Sequence, residues 1–336
     1  MSRDRQEEKG LVNGDATEGE VPRDTLSQQY GGGHAGGWVN LLPASWVPYV
    51  QLARLSPPAA LFLIYFPHAF GALHAARAHS LPAAATVRAC AQLLGGSFFF
   101  SNAAHAWNDL IDAPIDRQVA RTRGRPIARG DVSPRAAFAF AASQAVGAAA
   151  FLLVLPPAAA VAAVPTIVGT TYYPWAKRHI HFPQLVLGFC LAWGVVVGAA
   201  AAAAERPWAD VAALCLVAAC ILWTTIYDTI YAYQDVADDV KIGVKSTAVL
   251  FGAHVKYFLW FPLLLLGICL VLYGQLVQAG ALYYVVTVGG SVSSLGAMIA
   301  NVKLKDDASC WWWFSCGFWF TGISITVGLL AGYLGL

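Results

Sequence analysis

An all-α, multi-pass membrane protein is the fold class this sequence predicts, and three observations carry the prediction. Of its 336 residues, 58% are hydrophobic. Only 12% are charged, about half of the roughly 25% usual for a globular protein. From residue 57 onward, apolar stretches of about 20 residues recur, each long enough to cross a bilayer as a helix. So few charges cannot cover the surface of a soluble fold, and a net charge of +2 is too small to argue for nucleic-acid binding. Seven of the 19 acidic residues precede residue 25. The purpose of the remaining acids becomes the question.

Residues 1–45 are polar and Gly-rich (Gly31, Gly32, Gly33, Gly36, Gly37) and read as a disordered cytosolic tail. Its first 24 residues hold four basic and seven acidic side chains. That is neither the basic start and apolar run of a secretory signal nor the Arg-rich, acid-poor pattern of a mitochondrial presequence. Residues 46–336 form the membrane domain. Its spans are predicted at 57–75, 87–107, 136–155, 158–174, 183–204, 208–230, 257–278, 281–301 and 312–334. Pro57, Pro58, Pro82 and Pro183 stand where helices start, where a missing N–H costs little. At Pro156 and Pro157 two short spans and one interrupted element are both compatible with the pattern. Cys90, Cys190, Cys215, Cys220, Cys269, Cys310 and Cys316 form no CxxC pair and read as small apolar residues.

Nine spans place the N-terminus and alternate loops on one side of the membrane. That side carries 18 of the 21 Lys and Arg residues, and the other only Arg77, Arg88 and Arg206. By the positive-inside rule the basic side is cytosolic.

Two acidic clusters lie on that same side. The second span runs into Asn108, Asp109, Asp112 and Asp116, and the sixth into Asp228, Asp235, Asp238 and Asp239. On a helical wheel Asn108, Asp109, Asp112 and Asp116 share one arc, and so do Asp228, Asp235 and Asp239. Pro114 is expected to interrupt the first helix. Carboxylates at a membrane edge are costly, roughly 2.5–3.5 kcal/mol each near a helix centre and less near the interface. Two converging clusters repel unless a cation sits between them. Oxygen-only donors without nearby His or Cys favour Mg²⁺, which bridges carboxylates to substrate phosphates. Arg117, Arg121, Arg123, Arg125, Arg129, Lys241 and Lys245 flank the clusters and suit a diphosphate carried by the metal. The bland alternative is solvated loop charge beside a membrane. No P-loop or GxGxxG precedes a helix, so nucleotide chemistry has no support.

At these residues the chain resembles the UbiA superfamily of intramembrane aromatic prenyltransferases. The matching blocks are Asn108–Asp116 (NDxxDxxxD), Arg121–Pro126 (RTxxRP) and the long run from Tyr227 to Gly252. Gln51–Pro57 and Tyr173–Arg178 also resemble its 4-hydroxybenzoate-type branch, and the likeness extends over about residues 48–336. Ala113 and Pro114 stand where charged residues are common, and Arg123 where Lys is usual, but no metal ligand is lost. The resemblance implies nine transmembrane helices around a central cavity open sideways to lipid. It implies Mg²⁺ held by Asn108, Asp109, Asp112, Asp116, Asp228, Asp235 and Asp239, with Asp112, Asp116, Asp228 and Asp235 as the catalytic set. Arg117, Arg121, Arg123, Arg125, Lys177, Lys241 and Lys245 would bind the diphosphate of an isoprenoid donor, while an aromatic acceptor attacks the allylic carbon. The tail and the segments Ala53–Pro57 and Tyr65–His68 resemble the fungal meroterpenoid members. That implies a farnesyl or geranylgeranyl donor, a polyketide-derived phenol, phenolic acid or hydroxy-pyrone acceptor, and an endoplasmic-reticulum location. A 4-hydroxybenzoate polyprenyltransferase of ubiquinone synthesis is the alternative, and a transporter, lipid scaffold or membrane terpene cyclase the alternatives of other kinds. No obligate protein partner is evident.

Three further residues are candidates for the acceptor. Arg54 suits an acceptor carboxylate or phenolate, and equally a helix anchor at the interface. His105 lies one turn before Asn108 and is either cavity-facing or a packed, hydrogen-bonded histidine. Tyr231, with Tyr172, Tyr173 and Tyr227, sits at a cytosolic helix end, where cation shielding and an interfacial belt are both expected roles. Trp311, Trp312 and Trp313 read as an interface anchor.

Overall fold

The structure, a computed structural model, describes residues 30–31 and 37–336. The tail reading for residues 1–29 and 32–36 lies outside the described residues. Among the described residues every regular element is helical. Nine long helices follow in order: α1 (Ala59–Ala78), α2 (Ala83–Asp116), α3 (Pro134–Leu153), α4 (Pro157–His179), α5 (Pro183–Ala201), α6 (Val211–Ala232), α7 (Val255–Leu276), α8 (Ala281–Asn301) and α9 (Asp307–Leu334). By length and apolar composition, seven of these can cross a membrane: α1, α3 and α5 to α9. The other two are long enough but diluted by polar residues. In α2 these are Asn102, His105, Asn108, Asp109, Asp112 and Asp116, and in α4 Thr170, Thr171, Tyr172 and Tyr173.

The prolines act as their positions predict. Pro82, Pro156 and Pro157 lie at the starts of α2 and α4, and Pro134 and Pro183 at the first turns of α3 and α5. The pair at 156–157 therefore separates two helices. Ser133 caps α3 by accepting from the Ala136 N–H. Pro114 does not end its helix: α2 continues to Asp116. With only two residues beyond it, the proline deprives the last turn of one hydrogen bond. The carbonyl of Ile111 there is engaged by Arg178 Nη2 at 3.1 Å. Both α2 and α4 outrun the apolar stretches by which they were predicted, and ion pairs from Asp112 to Lys177 and Arg178 join their polar last turns.

Helix α1 is the axis of the bundle. Of its most apolar stretch 83% is buried inside the protein, against 11% for α3, whose Phe138, Val146 and Leu153 face outward. An apolar surface of that kind belongs in lipid. Helices α1 and α5 meet backbone to backbone at Gly71 and Gly198, where a Cβ would strike the carbonyls of Val195 and His68 respectively. Gly194 and Gly198 form the small-residue spacing that permits such an approach.

The two ends of the bundle differ chemically. At one end Asp210 caps α6 through the Ala212 and Ala213 N–H groups and bonds His74 Nε2 at 2.8 Å. His74 Nδ1 in turn lies 3.2 Å from the Tyr273 hydroxyl. At the other end α2, α4 and α6 finish together. There a 3₁₀ turn (Tyr233–Asp235) and a short helix (Val236–Ile242) prolong α6, and the loop from Arg117 to Arg125 crosses over them. All seven cysteines are free, with Cys190, Cys220 and Cys310 buried. Where the predicted tail is described, Gly37–Leu41 form a 3₁₀ helix, and Tyr30, Gly31 and Val39 are buried. The Tyr30 ring lies edge-on to Trp311 and Phe314. Of the tryptophan trio, Trp312 is exposed, as an interface anchor would be, whereas Trp311 packs inward on Tyr30 and Tyr231.

Candidate active site

The α2 heptad-like spacing of Asp109, Asp112 and Asp116 puts three carboxylates on one face, and all three are buried. Their charge is countered within the protein. Arg54 Nη2 meets Asp109 at 2.8 Å, and Arg125 Nη1 bridges Asp109 at 3.2 Å and Asp116 at 3.1 Å. Lys177 Nζ and Arg178 Nη1 close on Asp112 at 2.5 and 3.1 Å. Across the cavity, Arg121 grips Asp235 with two nitrogens, at 2.8 and 2.5 Å, and donates to the Tyr231 hydroxyl at 2.8 Å. The repulsion expected between the clusters is thus offset by five cations of the chain itself. Buried pairs of this kind contribute little net stability, because desolvation of both ions opposes their attraction.

Burial opposes the charge on Arg121, but Asp235 and Tyr231 more than compensate and hold its pKa above the ordinary arginine value. Burial likewise acts against Arg125, and Asp109 and Asp116 hold its pKa far above that value. Both guanidinium groups are fixed charges at any working pH.

These residues surround a cavity of about 200 Å³. Asn108, Asp116, Asp228, Asp235 and Asp239 line it, as do Arg54, Arg121, Arg125, Lys177, Lys245, His105 and Tyr231. His105 satisfies both of its readings: it faces the cavity and lies 3.2 Å from Ser101 Oγ. Asp109 and Asp112 stand behind the wall and hold the lining cations. Three predicted diphosphate ligands lie elsewhere. Arg117 is exposed and donates to the Ala128 carbonyl, Arg123 is exposed, and Lys241 pairs with Asp238 in solvent. The loop turns Arg117 and Arg123 outward and Arg121 and Arg125 inward, and Lys241 extends from the short helix Val236–Ile242. Asp238 instead anchors that loop through the Ala120 N–H at 2.9 Å.

Sequence reasoning passed over two members of the site. Arg178 stood at the end of a matched block, but its pairing with Asp112 spans 66 positions and has no local signature. Tyr30 lay in a segment whose composition reads as tail. It lines the cavity, and Tyr227 and Phe314 join it there.

A second cavity of about 380 Å³ runs between α2, α3 and α4 and is lined mainly by Ala, Gly, Leu and Phe. Phe100, Ala104 and Thr170 belong to both cavities, so the polar chamber adjoins an apolar groove.

Among the described residues no three His, Cys, Asp or Glu side chains stand close enough to form a finished metal cage. A hard cation such as Mg²⁺ does not require one, because it is usually held by one or two carboxylates plus substrate phosphates. The donors present suit it. Asp228 and Asp239 line the cavity and form no ion pair among the described residues.

Comparison with known proteins agrees with this architecture. The sequence pattern of the UbiA prenyltransferase family matches residues 64–323. The prenyltransferase stbC of Stachybotrys bisbyi is 36% identical over 303 residues, covering 89% of this chain and 90% of its own length. The mitochondrial 4-hydroxybenzoate polyprenyltransferase of Schizosaccharomyces pombe is 34% identical, covering 82% of this chain and 77% of its own. Among solved structures, a UbiA homolog from Archaeoglobus fulgidus bound to DMAPP and Mg²⁺ superposes with a TM-score of 0.62 at 17% identity. That superposition covers 85% of this chain and 98% of the homolog, and it establishes the fold alone.

Proposed function

The chain belongs to the UbiA prenyltransferase family, and on that premise we propose that it transfers a farnesyl or geranylgeranyl group from its diphosphate to a polyketide-derived phenol, phenolic acid or hydroxy-pyrone. The observation that carries this reading is the junction of the two cavities. A chamber lined by cations and carboxylates, fitted to a diphosphate, adjoins an apolar groove fitted to an isoprenoid chain.

Arg121, Arg125, Lys177 and Lys245 line the chamber and bind the diphosphate oxygens, with charge that grows more favourable as the allylic C1–O bond breaks. Asp235, Asp109, Asp116 and Asp112 hold three of these cations in place before substrate arrives. Asn108, Asp116, Asp228, Asp235 and Asp239 line the chamber and would hold Mg²⁺, which would supply Lewis-acid charge to the leaving diphosphate. Tyr227, Tyr231 and Phe314 line the chamber and place aromatic rings beside the developing allylic cation. Arg54 and His105 lie on the same wall and orient the acceptor's oxygen functions. Attack by the electron-rich ring carbon and loss of its proton complete the transfer. The apolar surroundings exclude water from the cation. All nine helices cross the bilayer in this reading, with the chamber on the cytosolic face of the endoplasmic reticulum.

The test is product analysis. Membranes carrying the chain are supplied with Mg²⁺, a series of prenyl diphosphates, and either an orsellinate-type phenol or 4-hydroxybenzoate. A farnesylated or geranylgeranylated phenol is the expected product, and chelation of the metal should abolish it. Preferential turnover of 4-hydroxybenzoate with longer donors would make the chain a 4-hydroxybenzoate polyprenyltransferase instead, as the Schizosaccharomyces relative is named.

A further inference from the structure

Tyr30, in the polar N-terminal segment, is buried against the bundle, and its placement is specified from several directions. Its hydroxyl donates to the Pro57 carbonyl at 2.5 Å and accepts from the Ala60 N–H at 3.3 Å, so it satisfies an open amide in the first turn of α1. Its ring stands edge-on to Trp311, with centroids 5.1 Å apart, and to Phe314 at 6.5 Å, both in the opening turns of α9. The Arg54 guanidinium lies over the ring at 5.7 Å. Its carbonyl accepts from Arg125 Nε at 3.3 Å, the same arginine that bridges Asp109 and Asp116. One residue therefore ties the start of α1 to the start of α9 and to the arginine loop, while its side chain lines the reaction chamber.

The backbone supplies a separate observation. Tyr30 and Arg54 touch each other, and both have a left-handed conformation, with φ of 58° and 54°. Non-glycine residues adopt it rarely and hold it where surrounding contacts over-determine it. Two such residues side by side mark a place where the chain is bent to present these side chains.

Without the Tyr30 ring, the chamber wall between α1 and α9 loses the group that joins Trp311 and Phe314 to Arg54. A chamber in which an allylic cation forms must keep water out on every wall, this one included. Resting on the prenyl-transfer reading, we infer that the Tyr30 ring is a water-excluding wall of the chamber, deciding whether the allylic carbon is captured by the acceptor or by water. In the coupled reaction C1 leaves the diphosphate oxygen and bonds an acceptor ring carbon, whose proton is released. In the uncoupled reaction the same C1–O bond breaks, a water oxygen bonds C1, a proton passes to solvent, and a prenyl alcohol leaves with inorganic diphosphate.

The two outcomes are separable in water enriched in ¹⁸O. Alcohol made by C1–O cleavage carries the label, whereas alcohol made by phosphatases in the membrane keeps the donor's own oxygen. The full chain in membranes is given farnesyl diphosphate and a phenol, and the ratio of labelled alcohol to prenylated phenol is measured. Turnover by the unaltered chain checks the prenyl-transfer reading by itself. Tyr30→Ala is expected to raise the ratio about tenfold or more, whereas Tyr30→Phe, which keeps the ring and loses the hydroxyl bonds, keeps the original ratio. A structural anchor would lower total turnover in both variants with the ratio unchanged, and an unchanged ratio in Tyr30→Ala overturns the inference. If that variant does not accumulate, Trp311→Ala removes the support behind the ring and leaves the Tyr30 hydroxyl bonds in place. A raised ratio there supports the inference, and an unchanged one overturns it.

Discussion

Replacing Arg121 by Met separates what the Arg121–Asp235 pair does for folding from what it does for turnover. The guanidinium makes two short contacts to Asp235, at 2.8 and 2.5 Å, and a third to Tyr231 at 2.8 Å, with its own side chain 3% exposed and that of Asp235 14%. Removing one member of such a pair leaves an uncompensated buried charge, so Arg121→Met should cost about 3–5 kcal/mol of stability. Removing both charges in Arg121→Met/Asp235→Leu should return stability to within about 1 kcal/mol of the original, because apolar groups replace the pair without leaving a charge behind. Activity should not return with it. Hydrogen bonds to charged groups are worth about 1.5–3 kcal/mol each, and loss of two to the diphosphate predicts a fall in kcat/KM of about 10²–10⁴. The assay pairs thermal unfolding in detergent micelles with initial rates of prenylated product in membranes. A double variant that is stable and works within about threefold of the original would refute the reasoning, because the pair would then be a clamp and Arg121 no ligand of the diphosphate.

Two other expectations concern the frame around the site. The hydrogen bond from His74, together with the N-cap amides of α6, holds the Asp210 carboxyl at a pKa of about 2, below its usual value. A depressed carboxyl contributes stability that is fully present above about pH 4 and is lost as the pH falls toward 2. With its side chain 41% exposed, solvent screening reduces that contribution to about 1 kcal/mol. Asp210→Asn should therefore lower thermal stability by about this amount at pH 7 and flatten its decline in acid, measured by melting across that range; an unchanged acid limb would count against the pairing. Gly198→Ala should push α5 away from α1, because its new methyl meets the His68 carbonyl, at a cost of about 1–3 kcal/mol. Melting temperature and the yield of folded protein in membranes check it, and an unperturbed protein would show that the backbones have room to give.

The acidic clusters were legible because their spacing repeats a helical period, so Asp109, Asp112 and Asp116 could be placed on one face before any fold was known. In the basic loop, composition does not separate Arg121 and Arg125, which point into the chamber, from Arg117 and Arg123, which point to solvent; only the fixed positions of the RTxxRP block single out the first two. Pro114 illustrates the opposite error. Its local preference argues for a break, yet the helix runs two residues past it to Asp116. Tyr30 was missed for a related reason. One aromatic in a polar, Gly-rich stretch has no periodicity, and its burial depends on partners 27 to 284 positions away, at Pro57 and Phe314.

By itself the sequence determined that this chain is helical, where its apolar runs lie, and that its scarce charges gather in two motifs. Hydropathy and helical period are properties of neighbouring residues, so they can be read along the chain. Only the tertiary structure decided which cation answers which carboxylate, how far α2 and α4 extend beyond their apolar runs, and that the polar chamber adjoins an apolar groove between α2, α3 and α4. Coulomb attraction and burial act through space. They depend on which residues the fold brings within a few ångströms, so no pattern of neighbouring residues reports them.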